Sequence, residues 1–303
     1  MPITFRKHPG DITKSSSDRC MQHWVPAFYQ RLWCDPSTPN GAFHWVRSKV
    51  RPNIPRRCSP RATFRDREIN TMSAHGRRNL ALERMFSCIE DAYAPILGKI
   101  SSGAPLLNDD VMTIRGLMAA QLIRTPKFRK HIRFLESSKN ASVLEYCNQQ
   151  SKIHLSQTIE NIRTNATQLF TIFSFPSIFG IFNKMAMKLF ISDDPAAFIT
   201  SDAPCILIET KKSTQTNPFA LLASENAAVL MPLSPSVIAI LRSQTAPDEG
   251  IRIFPESRNF VHAQNAAILL ASDNYIVTNR KDVAVADWLS PSISNYLSQF
   301  QVY

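Results

Sequence analysis

Four polar groups stand where side chains of distant segments can converge: His23, the pair Glu83 and Glu90, Arg124, and Asp202. Phe198-Ile199-Thr200-Ser201-Asp202-Ala203-Pro204 reads as a short apolar strand that stops on a carboxylate, before a proline that cannot continue a ladder. Strand ends are where a rigid scaffold meets an open site, which makes Asp202 the leading candidate acid. Thr200, Ser201 and Asp202 also bond local backbone well at a turn, so capping is its other reading. His23 precedes an apolar-aromatic cluster. Its imidazole suits a general base or a metal ligand at physiological pH, and a histidine satisfied in a turn is the alternative. Glu83 and Glu90 lie two helical turns apart, sharing a face at about 10 Å along the axis. Such pairs are usually solvated; turned inward beneath Asp202, Glu83, Glu90 and Asp202 become a carboxylate set for a hard cation such as Mg²⁺. Gln121, Arg124 and Thr125 share one face just before Pro126. There Arg124 either belongs to a structural cluster or holds a phosphate or Asp202. The catalytic candidates are therefore His23, Arg124 and Asp202.

Other chemistries lack their residues. No Gly-x-Ser-x-Gly elbow and no phosphate-cradling glycine loop occurs. The six cysteines, at 20, 34, 58, 88, 147 and 205, show no zinc-knuckle or redox spacing, which fits reduced thiols. The N-terminus has no apolar segment of a secretory signal. The longest apolar run, Leu169 to Ile181, is broken by Pro176 and Gly180 and is too short to span a bilayer. A cytosolic, non-membrane protein is expected.

The formal net charge is +11, with the excess concentrated before Asn79. Arginine predominates over lysine there, which favours bidentate recognition of phosphate or carboxylate. A solvated basic face is one account; a footprint for a phosphate-rich partner, carried by Arg47, Lys49, Arg51, Arg56, Arg57 and Arg61, is the other.

The 303 residues, with 44% apolar and 19% charged content, describe a globular chain with a real core. Residues 1–20 read as a flexible tail and 21–303 as one domain in three parts. The first, 21–78, is basic and aromatic, with a short helix after Pro26, a strand over 42–46 and an irregular Pro/Arg-rich connection over 51–61. The second, 79–195, is helical: amphipathic spacing predicts helices over 79–100, from Asn108 to a break at Pro126, over about 143–172, and over about 178–190. The third, 196–303, alternates strands (198–201, 204–208, 227–231, 236–241, 275–278) with helices over 258–272 and 283–300. The loop 209–226 is the expected flexible excursion. This order predicts an α+β fold: a central bundle of long helices, a small N-terminal β-hairpin element, and a C-terminal mixed β-sheet packed by helices.

Five phrases together resemble one family. They are His23-Trp24-Val25-Pro26 with Phe28-Tyr29, Leu82-Glu83 with Ile89-Glu90, Gln121-Leu122-Ile123-Arg124-Thr125-Pro126, Ile199-Thr200-Ser201-Asp202-x-Pro204, and Pro232-Leu233-Ser234-Pro235. Their order is that of the bacterial domain-of-unknown-function family 4238, and the likeness runs from about Gln22 to Thr278. Ala203 departs from the family's usual Asn, and His262 stands where an Asn is common in the late helix. The resemblance implies fold kinship and carries no established activity.

Two functions follow as expectations. One is a metal-assisted hydrolase, nuclease-like, with carboxylates holding Mg²⁺, His23 moving a proton and the basic N-terminal part collecting nucleic acid. The other is a non-catalytic module that docks nucleic acid or a protein through that basic aromatic part. They differ in whether His23, Glu83, Arg124 and Asp202 surround one pocket.

Overall fold

The computed structural model describes residues 21–74, 77–130, 165–194, 197–209, 221–222, 224–243, 253–255, 258–285, 288 and 301–302. The expected tail 1–20 and most of the expected helices over 143–172 and 283–300 lie outside these residues.

The N-terminal part forms β1 (Met21–His23), α1 (Ala27–Gln30), β2 (His44–Ser48), β3 (Arg51–Cys58), β4 (Arg65–Arg67), β5 (Met72–Ala74) and β6 (Arg77–Asn79). Helices α2 (Ala81–Ser102), α3 (Asn108–Arg124) and α4 (Ala166–Lys184) follow. The chain then runs through β7 (Ala186–Ile191), β8 (Thr200–Ser201), β9 (Ile206–Glu209), β10 (Ala227–Ser234), β11 (Val237–Arg242), β12 (Ile253–Pro255), α5 (Arg258–Ala271), β13 (Tyr275–Thr278) and β14 (Gln301–Val302).

The centre is a sheet. Six strands in the order β12-β7-β11-β10-β9-β14 form a mixed sheet in which only β12 and β7 run parallel. All eight residues of β10 are buried, because both of its faces are covered. Val229, Met231 and Leu233 point into a core shared with Leu82, Phe86 and Tyr93 of α2, Ile114 and Leu117 of α3 and Phe182 of α4. Ala228 and Leu230 point the other way, onto Val261, Ala267 and Ile268 of α5. Each covered aliphatic side chain is worth about 1.5–3 kcal/mol, so the alternation along β10 welds two layers to one strand.

The architecture is α+β, but the expected central bundle of long helices is not present. α2, α3 and α4, of 22, 17 and 19 residues, pack against one face of the six-stranded sheet. The amphipathic stripe of α2 announces that a face is buried; it does not say that a sheet buries it. The N-terminal hairpin is likewise not a separate element. β2 and β3 join β13 and β8 in a four-stranded sheet, order β3-β2-β13-β8, made from both ends of the chain.

Local differences have local reasons. Residues 51–58 form a strand despite Pro52 and Pro55, which is tolerated because β3 is an edge. Residues 186–191, expected to continue a helix, form β7, since the run Ala-Met-Lys-Leu-Phe-Ile pairs on both sides, with β11 and β12. At Thr125 the backbone turns extended (ψ 150°) and α3 stops before Pro126, as the proline requires; residues 126–130 resume as helix.

The N-terminal aromatics are the bolt between layers. The fully buried Tyr29 hydroxyl donates to the Pro232 carbonyl of β10 (2.7 Å) and shares a hydrogen bond with Thr200 Oγ1 of β8 (2.8 Å). Trp33 Nε1 donates to the Phe198 carbonyl at 3.0 Å. On β2, the buried His44 has a long bond to Thr63 Oγ1 (3.3 Å) and lies against the Gln30 backbone. Burial pushes its pKa down to about 4, well below the ordinary 6.5. The folded state therefore sheds a proton that the unfolded chain takes up. The stability this neutral histidine permits is complete above about pH 6.5 and is lost as pH falls towards 4, by up to about 1.4 kcal/mol per pH unit and about 3 kcal/mol in all. Denaturant unfolding of wild type and His44→Asn between pH 7 and pH 4 should show a steeper acid loss for wild type; parallel pH profiles would refute the assignment.

Candidate functional site

His23 ends β1, where it pairs with Arg65 of β4. Its Nε2–H donates to the Pro60 carbonyl at 3.1 Å. A carbonyl only accepts, so the proton sits on Nε2 and Nδ1 is left as the basic atom. Burial holds this imidazole below its ordinary pKa, and the neighbouring Arg124 and Arg65 lower it further against the Pro60 bond. It is neutral at pH 7.

Arg124, in the last turn of α3, is almost fully buried. Its Nη1 donates to Glu90 Oε1 of α2, and its Cζ lies 4.6 Å from the centre of the Phe86 ring. Burial pushes the Glu90 carboxyl above the usual range, Arg124 pulls it back, and Glu83 and Asp91 push it up again. Glu83 Oε2 accepts from Asn70 Nδ2 at 2.6 Å. Asn70 Oδ1 in turn accepts from Arg129 Nη2, and the Asn70 N–H donates to Gln22 Oε1 at 2.7 Å. This buried chain links β1, the turn before β5, α2 and the helical turn after Pro126, and it aims the Glu83 side chain.

His23, Glu83, Glu90 and Arg124 thus line one cavity of about 320 Å³, with Phe28, Arg31 and Asp91. Gln22, Asn70 and Arg129, which support it, carry no motif in the sequence; only the packing brings them together.

Asp202 is not part of this cleft. Its Oδ1 accepts from the Asp273 N–H (2.9 Å), and its Oδ2 from those of Asn274 (2.7 Å) and Tyr275 (3.0 Å). The carboxylate closes the turn between α5 and β13 onto the end of β8, a capping role. Burial pushes its pKa up while the three N–H groups pull it down. This corrects the catalytic and metal assignment of Asp202. With it goes the set for Mg²⁺, since Glu90 faces Arg124 and Glu83 faces Asn70. Among the described residues no group of three or more His, Cys, Asp or Glu could hold a metal ion.

The basic segment also divides. The buried Arg47 donates to the carbonyls of Pro52 (2.8 Å) and Lys281, and Lys49 Nζ donates to those of Leu270 (2.7 Å) and Ser272 (3.0 Å) at the C-terminal end of α5. Both are structural, which corrects their assignment to a nucleic-acid surface. Arg51, Arg56, Arg57 and Arg61 are exposed. Arg57 lies 5.1 Å over the Phe43 ring. In the ladders Arg56 pairs with Val46 and Arg51 with Ser48, while Ser48 pairs with Tyr275, so Arg51, Arg56 and Tyr275 share one face. That face carries an open groove of about 530 Å³, also lined by Trp24, Val50 and Ile54. Val50 is 87%, Ile54 55% and Tyr275 43% exposed, a run of apolar surface unusual between arginines. The Trp24 indole N–H has no partner among the described residues.

The fold and cleft define an α+β protein whose separated polar phrases are joined by hydrogen bonds: Tyr29 to Thr200 and Pro232, Glu90 to Arg124. In α5, Asn265 brackets the extended residues 197–199 that lead into β8, accepting from Ile199 N–H (3.1 Å) and donating to the Ala197 carbonyl (2.7 Å), so an amide three residues after His262 does the tying. Residues 21–282 match the family described as Protein of unknown function (DUF4238), and the chain belongs to it. No curated protein and no solved structure matches the chain. Among the described residues no helix is long and apolar enough to cross a membrane.

Removing the Asp202 carboxylate strands three backbone N–H groups. Asp202→Ala should cost at least about 2 kcal/mol and lower the melting temperature by about 4–8 °C. Millimolar Mg²⁺ should shift neither wild type nor variant. A Mg²⁺-dependent rise in wild type that the variant loses would restore the metal reading.

Proposed function

We propose that this protein binds single-stranded nucleic acid across the β3 edge of its four-stranded sheet. The observation that carries this reading is the exposed Arg51 and Arg56 on the same face as Tyr275, bordering a groove with Trp24 and Ile54. Guanidinium groups track phosphates, and an exposed tyrosine offers a base a stacking partner worth about 1–3 kcal/mol. The charge of +11 supplies long-range attraction. Anisotropy titrations with a labelled oligonucleotide should give a steep fall in affinity with salt, about 0.7 in log–log slope per neutralised phosphate for a single strand. The double variant Arg51→Ala/Arg56→Ala should flatten that slope by about 1.4, and Tyr275→Ala should weaken binding with the slope kept. An affinity flat in salt, or unchanged in the double variant, removes the reading.

A second reading, hydrolysis of phosphodiesters at the cleft, is favoured by the neutral His23 with its basic Nδ1 in one cavity with Glu90 and Arg124. On this reading His23 acts as a general base through its Nδ1. Against it stand three cleft carboxylates, Glu83, Glu90 and Asp91, facing Arg31 and Arg124. On this reading His23→Ala eliminates metal-independent cleavage of an oligonucleotide without lowering the melting temperature by more than a few degrees. Cleavage that survives the substitution, or that wild type lacks, excludes it.

A further inference from the structure

The cleft that holds His23 lies where α1 packs on α2, the Phe28 and Tyr93 rings being 6.1 Å apart between centroids. Its α2 side is one helical stripe, Glu83, Glu90 and Ala94, with Asp91 beside Glu90. Its α1 side is Ala27, Phe28 and, one turn further on, Arg31. These charges are not neutralised within the cleft. Arg31 and Asp91 both line it and are both exposed, yet neither side chain forms a hydrogen bond or an ion pair among the described residues. Glu83 and Glu90 each have one carboxylate oxygen engaged, by Asn70 and Arg124, and the other without a partner among the described residues. Arg124 is the sharper case. It is 2% exposed and lines the cleft, but makes one hydrogen bond among the described residues, to Glu90, and its Nε makes none. Buried polar groups are ordinarily paired, so a cleft-lining guanidinium with most of its donors unused calls for an acceptor.

We infer that this cleft binds a small zwitterion, a free α-amino acid or a dipeptide, whose carboxylate meets Arg124 and Arg31 and whose ammonium meets Asp91 and Glu83. A ligand of one sign leaves half of the lining unanswered. An anion meets the repulsion of Glu83, Glu90 and Asp91, and a cation that of Arg31 and Arg124; a molecule carrying both charges answers both sides. The neutral His23 adds no charge to either side. An apolar side chain suits the rest of the lining, Met21, Pro26, Phe28 and Ala94. About 320 Å³ is at the small end for ligand cavities, which matches a molecule of one or two residues. The inference is independent of the reading of the β3 face. At the cleft it competes with phosphodiester hydrolysis, whose substrate lacks the ammonium.

The experiment is calorimetric titration of the full chain with leucine, methionine, phenylalanine and the dipeptide Leu-Leu. Isoamylamine and 4-methylpentanoate, which each keep one of leucine's two charges, are titrated alongside. At least one zwitterion should bind, and leucine should bind about tenfold or more tighter than either singly charged counterpart. Arg31→Ala and Asp91→Asn should each weaken binding about tenfold. Both side chains are exposed and unpaired, so neither substitution should move the melting temperature of the unliganded protein. Binding of the amino acids without Leu-Leu identifies free amino acids as the source, and the reverse identifies peptides; either supports the zwitterion site. Arg51→Ala/Arg56→Ala should leave this binding unchanged, whatever it does to an oligonucleotide; its loss there would move the site to the β3 face and overturn the inference. No binding of any zwitterion at millimolar concentration overturns it, as does binding unchanged in Arg31→Ala or in Asp91→Asn. An amine or an acid that binds as tightly as leucine reduces the cleft to a site for one charge, which also overturns it.

Discussion

The six-stranded sheet buries both of its faces, and that constraint decides where every other segment must lie. One face takes α2, α3 and α4 with the aromatic N-terminal turn; the other takes α5. No single stretch of chain supplies both covers. The N-terminal Tyr29 and Trp33 reach strands about 170 to 200 positions away, and the four-stranded sheet is built from strands near both ends of the described chain. Contacts of such sequence separation cost loop-closure entropy, repaid by an uninterrupted apolar core on either side of β10.

Polar residues then fall into two kinds of work. Asp202, Asn265, Arg47 and Lys49 spend their side chains on backbone groups at strand ends, turns and a helix terminus. Each satisfies donors or carbonyls that the layered arrangement would otherwise strand in the interior, where an unpaired group costs about 1–3 kcal/mol. His23, Glu83, Glu90 and Arg124 instead border open volume. The Arg124–Glu90 pair sits at the divide: its guanidinium is almost fully buried, its carboxylate partly open. Breaking such a pair leaves an uncompensated charge, which makes it a fixed point for the cleft around it.

The edge strand β3 illustrates how one sequence feature serves two ends. Pro52 and Pro55 remove ladder donors and so protect an exposed edge from pairing with another chain. The same edge position leaves Arg51, Arg56 and Arg57 in solvent, with the apolar Val50 and Ile54 between them and the aromatic groove. A central strand of this composition would be untenable; an edge leaves its prolines unpaired and its arginines in solvent.

Much was legible in the sequence because it depends on local physics. Helical periodicity and the Pro126 break placed α2 and α3 to within two residues, and alternating or continuous apolar runs placed β9, β10, β11 and β13. Two helical turns put Glu83 and Glu90 on one face, and they do line one cavity. What tertiary structure alone decided was the partner of each face and each polar group. An amphipathic stripe is the same whether a helix or a sheet covers it, so the bundle expected from α2 to α4 became a layer on a sheet. A strand-end aspartate looks the same in sequence whether it meets a substrate or three N–H groups from residues 273–275, about seventy positions away, and an arginine looks the same whether it meets phosphate or the Lys281 carbonyl. Residue type and spacing determine what a side chain can do, but which donors and acceptors reach it depends on contacts between segments that no local pattern encodes.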